Sequence, residues 1–183
     1  MTEDLEIETY ISISNSIIGI YLFDIKKLKN LYKNEIKIEN QNKSLDVNIL
    51  NSFLEDNVIK IEKTLGKFIN NISLIVESHK TTNVCFGMKK KIYLNKIDKK
   101  YLENSLTDAK DLFKENYKNE KIMHMVISKF RVDNKNYSSF EENIIGENFY
   151  LELQFRSISN LSTTEINKSL EKYHIKIINY IDA

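Results

Sequence analysis

Residues 120–160 read EKIMHMVISKFRVDNKNYSSFEENIIGENFYLELQFRSISN. Near the end of this stretch Phe149, Leu151, Leu153 and Phe155 alternate with Tyr150, Glu152, Gln154 and Arg156. That is the period of a half-buried antiparallel strand with one wet face. A second long strand precedes it, running through Ile122–Ile127 and Phe130–Asp133, and a polar loop from Asn134 to Asn148 separates the two. Amphipathic helices flank the pair. Upstream, a helix from Lys99 to Asn116 puts Leu102, Leu106, Ala109, Leu112 and Phe113 on its inner face, with Asp98 near its start. Downstream, Ser162-Thr163-Thr164-Glu165 matches a capping box, which predicts a helix through Ile166, Leu170 and Tyr173.

Working outward, Tyr10–Ile13 and Ser16–Asp24 read as an antiparallel pair around Ser14-Asn15. The near-continuous apolar run Ile17, Ile18, Ile20, Leu22 and Phe23 predicts a central strand covered on both faces. Glu35–Glu39 reads as an outer third strand. From Asp46 to Asn70, Leu50, Phe53, Leu54, Val58, Ile61, Leu65, Phe68 and Ile69 fall on one helical stripe with Asp46 as N-cap. Ile72–Glu77 reads as a buried strand, and Ile175–Tyr180 closes the chain as another. The element order is strand, strand, strand, helix, strand; then helix, strand, strand; then helix, strand. With the middle group as an insertion, the outer group has the order of the ribonuclease-H-like half of an actin-type ATPase. The fold class is therefore expected to be α/β (α+β).

Composition excludes several chemistries. At 183 residues the chain can bury a core without metals or disulfides. A net charge of +1, from 27 basic and 26 acidic residues, gives no overall field to attract nucleic acid. The run Lys89-Lys90-Lys91 opens a strand-like segment and reads as a solvated face. Cys85, the only cysteine, lies between Val84 and Phe86, which suits a buried thiol rather than a nucleophile paired with His79. Three scattered histidines and one cysteine give no metal-ligand spacing. Four isolated glycines and no proline leave no phosphate loop, dinucleotide fingerprint or nucleophile elbow. The acidic start MTEDLEIETY lacks the order of a signal peptide, and no apolar run approaches the ~18 residues of a membrane span. A cytoplasmic protein with no intrinsic membrane segment is expected.

The chain resembles the bacterial cell-division protein FtsA, of the actin-like ATPase family, most clearly from Leu102 onward. Ala109 sits in a helix whose family counterpart also has an alanine-containing core face. Ile122–Ile127 and Phe130–Asp133 are similar to a family strand of the form vlHvip.ey.vD, with His124 at a position not tied to catalysis. Gly146 matches a loop glycine, Leu151–Ser159 a strand like leakvHiit, and Ile166–Asp182 the returning helix and strand. The resemblance implies the N-terminal half only. Residues 1–78 with 161–183 would form a ribonuclease-H-like lobe (1A), and 79–160 an inserted strand-helix-strand-strand lobe (1C) known in the family for protein contacts.

Departures from the family fall on its chemistry. Where the family has Asp-Ile-Gly-Thr-Ser-Lys to cradle phosphates and metal, this chain has Ser12-Ile13-Ser14-Asn15-Ser16-Ile17. Carboxylate, glycine and cation are all replaced. The loop proline is missing, and Arg156 stands for the second strand's histidine. Compared with the family, the second phosphate loop, the second ATPase half, the FtsZ-contacting region and the membrane helix have no counterpart.

The resemblance therefore implies a degenerate nucleotide site, no cofactor, no metal and no enzymatic activity. It implies partners among other cell-division proteins, including full-length FtsA or a second copy of this chain, and recruitment to the division site. Three side chains are candidates for partner contact. Tyr137 and Phe140 lie in the polar loop, where exposed aromatics would anchor a partner, the alternative being that they fold back onto their own lobe. Arg156 faces the wet side of its strand, either as a partner contact or as a solvated charge. Two other functions stay open: a small-ligand sensor of the strand-helix-strand-strand class, and a vestigial ATPase.

Overall fold

The computed structural model describes residues 6–38, 46–77, 81–93, 96–141 and 144–183. The chain divides into two compact units, Met1–Thr81 with Ile158–Ala183, and Thr82–Ser157.

In the first unit β1 (Ile7–Ile13), β2 (Ile17–Asp24) and β3 (Lys29–Lys37) form an antiparallel meander. After α1 (Val47–Leu65), β4 (Asn71–Val76) returns parallel to β1, and β11 (Lys176–Asp182) lies parallel to β4. The resulting order β11-β4-β1-β2-β3 is the topology of a ribonuclease-H-like sheet. Two parallel pairings require crossovers, and α1 and the later helix α3 (Asn160–Glu171) supply them. The two helices pack on one another, α1 also touching β2 and β3, and α3 touching β11.

Local chemistry fixes α1 at both ends. The Asp46 carboxylate accepts from the amides of Asn48 (2.9 Å) and Ile49 (3.4 Å), satisfying donors that the helix itself cannot. Gly66 ends it in the left-handed conformation, φ +67°, its amide returning to Glu62 O at 2.8 Å. That stop explains Phe68. The side chain expected on the buried stripe lies past the cap and is 79% exposed, whereas Ile69 turns back into the core. Asn57 sits on the same stripe among Phe53, Leu54, Val58 and Ile61 and is buried. Its Oδ1 accepts from Tyr32 Oη and Asn34 Nδ2, both at 2.7 Å, and its Nδ2 donates to Phe53 O at 2.6 Å. A buried amide with these needs met ties α1 to β3.

Several expectations are corrected in this unit. The third strand starts at Lys29 rather than Glu35, because β2 needs a partner along its length down to Asp24. β2 is buried on one side: Ile18, Ile20 and Leu22 are inaccessible, while Ile17, Tyr21 and Phe23 on alternate positions are half-buried. α3 begins three residues before the apparent capping box. Its N-cap is Ser159, whose hydroxyl accepts from the Leu161 amide at 3.3 Å, since the preceding strand runs straight into the helix.

The second unit contains β5 (Thr81–Lys91), the two-residue β6 (Lys96–Ile97), α2 (Lys99–Asn116), β7 (Glu120–Val132), β8 (Lys135–Tyr137), the two-residue β9 (Ile144–Ile145) and β10 (Asn148–Ser159). Its main sheet has the order β5-β10-β7-β8, and β6 pairs with β9. Central β10 turns Phe149, Leu151, Leu153 and Phe155 inward, all fully buried. Phe155 stacks between Phe86 (5.0 Å) and Phe113 of α2 (4.7 Å), and Phe130 meets Phe149 at 5.6 Å. Each buried ring contributes roughly 2–3 kcal/mol of apolar transfer. Leu102, Ala109 and Phe113 carry the inner face of α2, but Leu112 is 47% exposed. The span and Asp98 cap of this helix agree with the sequence pattern.

β5 is absent from the element order inferred above. It alternates strictly, with Val84, Phe86 and Met88 packed on the core and Asn83, Cys85 and Gly87 outward. Cys85 is therefore exposed, correcting the expectation of a buried thiol. The lysine run ends this strand instead of opening one, and Lys90 pairs with Asp108 of α2. The polar loop likewise contains two short strands, β8 and β9.

Candidate functional site

Two places bear on function. The first is the β1–β2 turn, Ser14 to Ile17, at which the resemblance to FtsA sets the expectation of a degenerate phosphate site. Ser14 Oγ accepts from the amides of Ser16 (3.2 Å) and Ile17 (2.8 Å) and donates to Ile17 O at 3.1 Å, while Ser14 N donates to Ile17 O at 2.9 Å. An anion cradle needs consecutive amides aimed at open space. Here the Ser14 hydroxyl occupies two of them. Ile13 and Ile18 on either side are buried in the sheet, which holds the turn in this closed form. Among the described residues no group of three or more His, Cys, Asp or Glu side chains is placed to hold a metal.

The second place is the far end of β7, beside β8. Asp133, at φ +49°, ends β7, and its carboxylate accepts from the amides of Asn148 (2.9 Å) and Glu147 (3.3 Å). These bonds, chiefly those from Asn148, hold the carboxyl below the usual aspartate range. Gly146 is needed for close approach, because a Cβ there would meet Val132 Cγ1 at 2.2 Å and Asp133 Oδ2 at 2.8 Å. Asp133 and Gly146, two of the positions that carry the family resemblance, thus form one corner joining β7 to β10.

Beside that corner lie two of the candidate contact residues. Tyr137 packs on Phe130 at 5.4 Å and Phe140 on the same ring at 6.4 Å, each half-buried. Both lean back on their own unit and keep an open edge. With Leu102 and Ile127 they line a cavity of about 180 Å³. Arg156 lies elsewhere, half-buried on β10, and is not brought to this cavity. His124 lies on β7, half-buried. Sequence reasoning missed the Ser14 bonds and the cavity itself. The first had a readable signal, a serine beginning a tight polar turn, but the second depends on Leu102 arriving from α2.

No protein-family model matches the chain, and no curated protein sequence does. Among solved structures, a chain of a PilM-PilN type IV pilus biogenesis complex is similar with TM-score 0.56 and 6% identity, over 96% of this chain and 47% of that one. The cytoplasmic domain of EpsL, an inner membrane component of the Vibrio cholerae type II secretion system, aligns at TM-score 0.44 and 8% identity, over 97% of this chain and 57% of that one. A Bacteroides thetaiotaomicron protein with an actin-like ATPase fold aligns at 0.39 and 14%, over 99% and 53%. This chain therefore spans about half the length of each. At such identities the likeness concerns fold alone, and of the three only the pilus chain superposes closely enough to support it. No helix among the described residues is long and apolar enough to cross a membrane. Strand order, crossover pattern and this likeness agree: the chain has an α/β fold built on a ribonuclease-H-like lobe with an inserted strand-helix-strand-strand lobe.

Proposed function

We propose that this chain is a non-enzymatic, FtsA-like protein-interaction module that works in bacterial cell division without binding ATP. The inserted lobe offers the contact surface and the ribonuclease-H-like lobe serves as its base. The observation that carries the reading is the Ser14 turn. Its hydroxyl takes the Ser16 and Ile17 amides that a phosphate would need, and serine and isoleucine stand where the family has its carboxylate and lysine. A nucleotide would have to break those bonds, and Ile17 itself offers it no charge. The similar fold of a chain that acts within a pilus biogenesis complex also favours assembly with partners over catalysis.

The test is co-sedimentation with FtsA filaments. Docking predicts that the chain pellets with polymerised FtsA or shortens the filaments at substoichiometric amounts. A chain that stays in the supernatant and leaves filament length unchanged overturns docking to FtsA.

A further inference from the structure

β7 is long and its outer neighbour is short. β8 covers only Phe130, Arg131 and Val132, which pair with Tyr137, Asn136 and Lys135. After Tyr137 the chain leaves the sheet through Ser138, Ser139 and Phe140. Among the described residues, no strand continues the line of β8 past Met125–Lys129. An open strand edge presents unpaired amides and carbonyls at alternate positions, a template for another strand. This one also exposes apolar side chains, Val126 at 54% and Ile127 at 40%. Where β8 turns away, the edge meets an open cleft of about 180 Å³ in which Leu102, Ile127, Phe130, Tyr137 and Phe140 share the lining with three serines and Lys129. Its volume suits one side chain.

We infer that Met125–Lys129 of β7 and the adjoining cavity form a strand-addition site for an extended acidic segment of a partner protein, which seats one apolar side chain in the cavity. The site deepens the interaction reading above and rests on it. Backbone pairing gives affinity in such sites, and a side-chain pocket gives selectivity. Charge decides the occupant. Lys129 lines the cavity and is exposed, and Lys135 sets its ammonium 4.7 Å from the centre of the Tyr137 ring that also lines it. Neither is held by a carboxylate among the described residues. An incoming strand with Glu or Asp at alternate positions would meet both cations. A second copy of this chain fits less well, because its own β7 would set Lys129 against this edge where the two cations want carboxylates.

The experiment selects phage-displayed random dodecapeptides on the immobilised full chain, then measures the enriched peptides by fluorescence anisotropy and amide exchange. The expected consensus has one aromatic or aliphatic anchor among alternating acidic residues, and binding protects the outward-facing, alternate amides of Met125–Lys129. Lys129→Glu, a surface change that leaves the core untouched, is expected to weaken binding about tenfold. Replacing the peptide's facing carboxylate by lysine is expected to restore it. No enrichment, an uncharged consensus, protection elsewhere, or affinity indifferent to Lys129→Glu each overturns the site. So does a sedimentation-detected dimer that Lys129→Glu or Val126→Lys dissociates, which would give the edge to a second copy. If the peptides fail but the chain still pellets with FtsA filaments, the site is wrong and the interaction module stands. If both fail, the module reading falls too.

Discussion

The β1–β2 turn and the outer edge of β7 treat their backbone amides in opposite ways. At the turn, Ser14 folds its hydroxyl over the Ser16 and Ile17 amides, so the sheet ends in a closed hairpin. At β7 the cover stops with β8, and Met125–Lys129 remains an open edge beside a cleft of mixed polar and apolar lining. A small anion needs a few convergent amides, whereas a polypeptide strand needs a line of them. The closed turn belongs to the five-stranded sheet of the first unit, and the open line to the four-stranded sheet of the second.

The largest effect is expected at the open end. Phe130 is buried and holds Tyr137, Phe140 and Phe149. Phe130→Ala should lower stability by about 3–5 kcal/mol in denaturant unfolding and release β8. A loss under 1 kcal/mol would mean that the cavity has no fixed floor. Gly146→Ala comes next, about 1–3 kcal/mol, since the new methyl meets Val132 and the Asp133 carboxylate. Amide exchange should then quicken at Asn148, where the Asp133 bonds are loosened, and unchanged exchange would sever Asp133 from this corner.

At the closed end the effects are smaller. Ser14→Ala removes the acceptor of two amides at a solvent-accessible turn and should cost about 1 kcal/mol, with faster exchange at Ser16 and Ile17. If their exchange does not change, the hydroxyl does not close the turn. Smallest is a titration on the same sheet. Burial, aided by a 2.6 Å hydrogen bond to Glu35, pushes the Tyr21 phenol up to about 12. Because the folded value lies above the ordinary value of 10.0, its stabilising contribution is complete below that value and is lost as pH rises through about 12. Glu35→Gln should move phenolate formation part of the way down, leaving the part due to burial. A full return to the ordinary value would make the hydrogen bond the dominant cause.

How much was legible beforehand follows the same division between local and distant causes. The bounds of α2 and the Asp46 and Asp98 caps are local and could be read directly. So could the inward set of β10, where four large apolar side chains alternate with polar ones. β5 has the same alternation, but Asn83, Cys85, Gly87 and the following lysines dilute its apolar signal, and it was passed over. The Ser162 capping box failed because a motif describes a helix start only where the chain is free to begin there. β10 delivers its last strand residue, Ser159, directly to the helix. Tyr137 and Phe140 could be picked out as aromatics in a polar loop. Their common cavity could not, since it also needs Leu102 from a helix roughly thirty-five residues earlier.

The most direct test of the central claim is an amide-resolved NMR titration of the full chain with magnesium-ATP. A closed turn predicts that the Ser16 and Ile17 amides do not shift up to millimolar nucleotide, because Ser14 Oγ already accepts from both. Saturable shifts at Ser16 and Ile17 at micromolar nucleotide would contradict it and return the chain to the ATPases.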